Sequence, residues 1–199
     1  MNYHEAIEYI TTRWTDEVVV TSAGTSSEIW YDITHDTERV FYLDASMSLS
    51  SMFASGIAFG IPDNNVWVFS GDGAFAMNPG MLMVERHMDL PNLKHFMCSN
   101  RAYGSTSNVP LPGRGSNDYA AIARGFGVER VYEFGSMNEL QGQFNEAVLS
   151  PGHAFIHLEL EPMDSKTGAP PMDGPEVKFR FGRHIEKISG KTVFTAPID

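Results

Sequence analysis

The chain has 199 residues, 42% of them hydrophobic and 12% aromatic, which fits one domain with a complete core. Its 25 acidic and 14 basic residues give a formal net charge of -11, which excludes the basic footprint that nucleic acids require. Cys98 is the single cysteine, the N-terminal "MNYHEAIEYITTRW" is charged throughout, and no apolar run nears the length of a bilayer span, so a cytoplasmic protein without disulfide or membrane segment is expected.

Residues 3 to 14 read as a helix with Ile7 and Ile10 on one face. "EVVVT" (17–21) is a short β-branched run, hence a buried strand, and Ser26 or Ser27 is placed to cap a helix reaching about Asp36. "RVFYL" (39–43) predicts a second strand, and "SMSLSSMFASGIAFGI" (46–61) a tightly packed helix of small residues. "NVWVFS" (65–70) predicts a third strand, followed by a glycine turn and a helix to about Met88. "LKHFMCS" (93–99) is a fourth strand, and a polar loop runs from Asn100 to Ser116. A helix at 117–127, a strand at 129–134, a helix capped by Ser136 and reaching Leu149, and a strand at 153–160 complete the pattern. The alternation predicts a three-layer α/β fold: a mostly parallel six-stranded sheet with helices on both faces. Residues 1–161 form the expected domain; 162–199 read as an arm, rich in Pro and Gly to about Pro175 and basic over 176–191. Ligands bind such sheets off the strand carboxyl ends, which selects residues 24–27, 44–48, 71–75 and 100–104.

One of these ends carries an aspartate between two glycines, "GDGAFA" (71–76). The run formally matches G-x-G-x-x-G/A, but it follows the third strand, and Asn100 stands where a ribose would need an acid. Asp72 and Asn100 lie just past two consecutive strands. If those strands are close, one carboxylate and one amide oxygen can share a magnesium ion, with a backbone carbonyl, phosphate oxygens and water completing its shell. The metal screens Asp72 from the phosphates, while the glycine-flanked N–H groups bind the same diphosphate. The plainer alternatives are a helix cap for Asp72 and a turn former for Asn100.

"GDG", 26 residues and then Asn100 resembles the diphosphate signature of thiamine diphosphate enzymes. "GDGAFAMNPGML…LPNLKHFMCSNRAYGST" resembles the cofactor-binding half, or PP domain, of the sulfopyruvate and phosphonopyruvate decarboxylases, over roughly residues 15 to 160. The resemblance implies magnesium held by Asp72, Asn100 and the carbonyl of Ala102. It implies thiamine diphosphate contacts from Gly24, Thr25 and Ser26, from Gly71, Gly73 and Ala74, and from Tyr103 and Gly104. "ASMS" (45–48) partly matches the family's Gly-Ser-Met-Gly turn. By analogy the Ala45 carbonyl accepts from the aminopyrimidine, Ser46 belongs to the same turn, and Met47 wedges between the cofactor's rings. Ser48 replaces a glycine there, and "SNVPLPG" (107–113) replaces the family's Gly-Gly-Gln.

The family's catalytic glutamate comes from a second, pyrimidine-binding domain. This chain is one domain long, so the resemblance implies a partner chain in a hetero-oligomer, at least a heterotetramer, acting on a small 2-oxo acid. No catalytic residue is assigned to this chain, and Glu28 and Glu85 are not given the glutamate's role. Decarboxylation is the expected outcome; carboligation, as in acetolactate synthase, and oxidation are rivals, as is a non-catalytic nucleotide-binding domain. Arg101 and Arg114 flank the loop and are candidates to meet a substrate anion. The seven histidines show no metal spacing, His157 reads as packed or paired, and Cys98 reads as inert core.

Overall fold

The structure, a computed structural model, describes residues 1–43, 46–163 and 168–195. In chain order the elements are α1 (Tyr3–Thr11), β1 (Val18–Ser22), α2 (Thr25–Thr34), β2 (Val40–Leu43), α3 (Ser50–Gly60), β3 (Val66–Gly71), α4 (Asp72–Phe75) and α5 (Met81–Met88). There follow β4 (Leu93–Ser99), β5 (Ala102–Tyr103), β6 (Val109–Pro110), α6 (Tyr119–Gly125), β7 (Arg130–Phe134), α7 (Met137–Leu149), β8 (Ala154–Glu159) and α8 (Gly174–Ser189). Six strands form one sheet in the order β2-β1-β3-β4-β8-β7, every pair parallel.

Alternation along the buried strands explains the layers. Val19 of β1, Trp67 and Phe69 of β3, and Phe96 of β4 pack with Ile7 and Ile10 of α1, Trp30 of α2 and Phe144 of α7. Val18 and Val20, one residue away on β1, face the other side and meet Ala54 and Ala58 of α3 and Phe181 of α8. Such period-two strands between two helical layers bury both faces of a parallel sheet. Phe69 and Phe96 stack with ring centroids 4.5 Å apart and tie the two central strands together.

Several boundaries differ from the sequence expectation. The helix expected from the glycine turn to Met88 is two helices, α4 and α5, parted at Asn78–Pro79–Gly80, because proline and glycine interrupt a continuous helix. Ser26 and Ser27 do not cap α2: Gly24 is its N-cap, and both serine hydroxyls donate back to the Ser22 carbonyl. The polar loop contains the small β5–β6 hairpin. Ser136 does cap α7, in a reciprocal capping box with Glu139. The basic stretch near the C-terminus forms α8, whose Val177 and Phe181 are buried and whose Phe181 ring meets Phe41 edge-on. No helix among the described residues is long and apolar enough to cross a membrane.

Candidate cofactor and metal site

The order of the sheet makes a crevice. From β1 the chain lays β2 on one side and β3 on the other, so the loops leaving β1 and β3 diverge, the arrangement at which open α/β sheets bind ligands. The cleft found there is lined by Gly24, Thr25 and Ser26 after β1, Gly71 to Ala74 after β3, and Asn100 and 102–105 after β4. Met47 stands at its lip, 38% exposed, so it belongs to the cleft and not to the core. Ser46 is not among the lining residues, and Ala45 lies outside the described residues.

Asp72 is brought to Asn100 by register: β3 pairs with β4, and Gly71 stands opposite Cys98. Asp72 is 2% exposed. Its Oδ1 accepts from the Gly73 N–H at 2.8 Å, and its Oδ2 accepts from the Arg101 N–H at 2.6 Å and the Ser99 hydroxyl at 3.1 Å. Arg101 has φ +57°, the left-handed turn that aims this N–H back at Asp72. Burial outweighs these donors and pushes the Asp72 carboxyl up to about 6. A buried carboxylate with no ion-pair partner of its own, the Arg101 guanidinium being paired to Glu159, is the kind of oxygen a hard divalent cation seeks. The Asn100 carbonyl oxygen accepts from the Ala102 N–H at 3.2 Å, which holds the amide beside the residue whose backbone was expected to share the metal.

Two of the cleft's glycines leave no spare room. A Cβ on Gly104 would lie 2.8 Å from both Asn100 Nδ2 and Thr25 Oγ1, and one on Gly73 would lie 2.9 Å from the Tyr103 ring. Gly24 has φ +105°, which only glycine adopts readily. Gly24, the N-cap of α2, offers no side-chain cap, so among the described residues the helix start opens onto the cleft without one, an anion-favouring end. The donor set, one buried carboxylate, one amide oxygen and a free helix start, fits a metal diphosphate.

A comparison with protein families decides the lineage: the family described as thiamine pyrophosphate enzyme, C-terminal TPP binding domain, matches residues 41–158. The chain belongs to this family. It is 30% identical over 171 residues to the sulfopyruvate decarboxylase subunit beta of Methanocaldococcus jannaschii, covering 86% of this chain and 89% of that one. It is 29% identical over 188 residues to the subunit of the same name from Methanothermobacter thermautotrophicus, covering 94% and 96%. Among solved structures, benzoylformate decarboxylase from Polynucleobacter necessarius superposes with a TM-score of 0.67 at 17% identity, over 85% of this chain and 34% of that one. This shares the fold, and the chain spans about a third of that enzyme's length.

Within a thiamine pyrophosphate family domain, some residues take roles the sequence did not announce. Ser48 adopts φ +74°, so the position demands a left-handed backbone that serine tolerates poorly. Arg101 is not free for a substrate anion. Its guanidinium is paired with Glu159 at 2.5 and 2.7 Å and donates to the carbonyls of Arg114 and Asn117, closing the loop onto β8. Arg114 is exposed. Cys98 is buried in the cleft floor, and burial pushes its thiol up to about 12, which leaves it inert.

Sequence reasoning also missed a buried polar chain. Ser70 Oγ lies 2.5 Å from His95 Nε2, His95 Nδ1 lies 3.0 Å from Glu85, and His153 Nε2 lies 2.9 Å from the same carboxylate. The order Ser–His–Glu resembles a nucleophile relay, but all four side chains are buried, Ser70 to 1% and His95 to 0%, so no substrate reaches the hydroxyl. The chain ties β3, β4 and α5 together directly below the Gly71 turn.

Proposed function

We propose that this chain is the diphosphate- and magnesium-binding subunit of a two-chain thiamine diphosphate-dependent 2-oxo acid decarboxylase. The observation that carries the proposal is the convergence of buried Asp72, Asn100 and the uncapped start of α2 on one cleft. Two relatives spanning nearly the same length are named as beta subunits of a decarboxylase, which supports both the reaction and a partner chain.

In this reading Asp72, Asn100 and the Ala102 carbonyl hold magnesium, and Gly73, Gly104, Thr25 and Ser26 bound the diphosphate. When bound, the cofactor supplies the electron sink for the carbanion left by departing carbon dioxide. The chain itself orients the diphosphate, keeps water from Asp72 by burial, and sets Met47 at the cleft's lip against the cofactor's rings. The partner's pyrimidine-binding domain supplies the glutamate. Exposed apolar side chains are available to a partner: Met47 lines the cleft, and Leu49, Met52, Phe53, Met77 and Met83 are exposed on the segments around α3, α4 and α5. The buried free thiol of Cys98 fits a cytoplasmic location.

The test is to express the chain with a pyrimidine-domain chain encoded beside it and to follow carbon dioxide release across several 2-oxo acids. Magnesium-dependent turnover by the pair, with the isolated chain nearly inactive, is the expected result. Full activity from the isolated chain would refute the split site. A requirement for a second keto acid or for an electron acceptor would replace decarboxylation by carboligation or oxidation.

A further inference from the structure

We propose that the hydroxyl of Tyr3, on the N-terminal helix, is a floor contact for the cofactor's diphosphate, contributed from outside the 41–158 span that matches the family. The inference rests on the reading that the cleft takes a metal diphosphate. Tyr3 opens α1 and is 2% exposed, yet it lines the cleft with Ser26, Asp72 and Cys98.

Its placement is fixed by backbone. Met1 donates its ammonium to the Glu159 carbonyl at 3.0 Å and accepts from the Glu161 N–H at 2.9 Å, so the start of the chain is held at the carboxyl end of β8. Asn2 then caps α1 by accepting from the Glu5 N–H. The ring packs in the core cluster that includes Ile7, Trp30 and Phe69, a space phenylalanine would fill equally well.

What phenylalanine lacks is the hydroxyl, and Ser26, Asp72 and Cys98 line the same cleft beside it. Burial first, then the neighbouring Cys98 and Asp72, hold the phenol protonated, well above its ordinary 10.0. The group therefore always has a proton to give. Sulfur is a weak acceptor, and a phosphate oxygen carrying negative charge is a far better one. The ring is fixed in the core while the residue lines the cleft, so a diphosphate entering there meets a hydroxyl donor for which the neighbouring sulfur is a weak competitor.

The full-length chain and its Tyr3→Phe variant are titrated calorimetrically with magnesium thiamine diphosphate and with magnesium and inorganic diphosphate. The ligand-free melting temperature of each is also recorded. The expected result is about tenfold weaker binding of both ligands by Tyr3→Phe, with the ligand-free melting temperature unchanged. A second variant, Cys98→Ala, removes the competing sulfur and keeps the donor, and it should bind both ligands at least as tightly as the wild type. Equal affinities for wild type and Tyr3→Phe, or an equal loss in Cys98→Ala, overturn the inference while the cleft reading stands. If the wild-type chain binds neither ligand, alone or co-expressed with its pyrimidine-domain partner, the cleft reading itself falls and takes the inference with it.

Discussion

Two buried carboxylates on neighbouring elements meet opposite fates. Glu85 and Asp72 are 1% and 2% exposed, and burial pushes both toward the neutral acid. For Glu85, the charge and hydrogen bonds of His95 and His153 together outweigh burial and hold the carboxyl well below the usual range. For Asp72, two backbone N–H groups, a serine hydroxyl and the charge of Arg101 do not suffice, and its carboxyl stays up at about 6. The difference separates structure from function. A buried carboxylate that finds two imidazole partners inside the chain is part of the scaffold. One held by hydrogen-bond donors, with its nearest cation, Arg101, already paired to Glu159, is a site for a cation from outside.

Mutation of the two carboxylates breaks the comparison most directly. Glu85→Ala leaves two buried imidazoles without their acceptor and is expected to cost about 3 kcal/mol of unfolding free energy in urea. Asp72→Asn is expected to do the reverse: unfolding of the ligand-free chain unchanged or harder, and magnesium thiamine diphosphate bound about 100-fold more weakly by calorimetry, or roughly 2.7 kcal/mol. Comparable destabilisation by both variants would show that Asp72 is scaffold as well.

Acid sharpens the same contrast. The folded-state pKa of Glu85 is depressed, so its carboxylate stabilises the fold above its ordinary value of 4.5. That contribution is lost as the pH falls below 4.5 toward the folded value. Urea midpoints measured from pH 7 downward should fall through that window in the wild type and flatten in Glu85→Gln.

Smaller effects test the cleft's fit. Gly104→Ala places a methyl 2.8 Å from the Asn100 amide and the Thr25 hydroxyl. Both must shift, and about tenfold weaker cofactor binding with a near-normal melting temperature is expected. Ser48→Gly relieves the left-handed serine and should raise stability by up to about 1 kcal/mol, read as a higher urea midpoint.

Much of the scaffold was legible because each local signal agreed with the global fold. β4 was readable at 93–99 from a short stretch set between Pro91–Asn92 and the polar loop, and α7 from its Ser136 cap. Boundaries failed where backbone geometry and not residue type decided them. Gly24 caps α2 through its φ of +105°, while the more obvious serines turn back to the strand. Arg101 looked like a free cation because Glu159, its partner, lies 58 residues away.

By itself the sequence determined the alternation of strands and helices, the glycine-flanked Asp72 and the asparagine after the next strand, because these are written in local periodicity and spacing. Only the tertiary structure decided that β3 lies against β4, so that Asp72 and Asn100 share a cleft, and that α1 delivers Tyr3 to its floor. It also decided that one acid is neutralised from within and the other is not. Strand order and charge compensation depend on contacts between residues far apart in the chain, and no local pattern encodes which distant side chain will arrive.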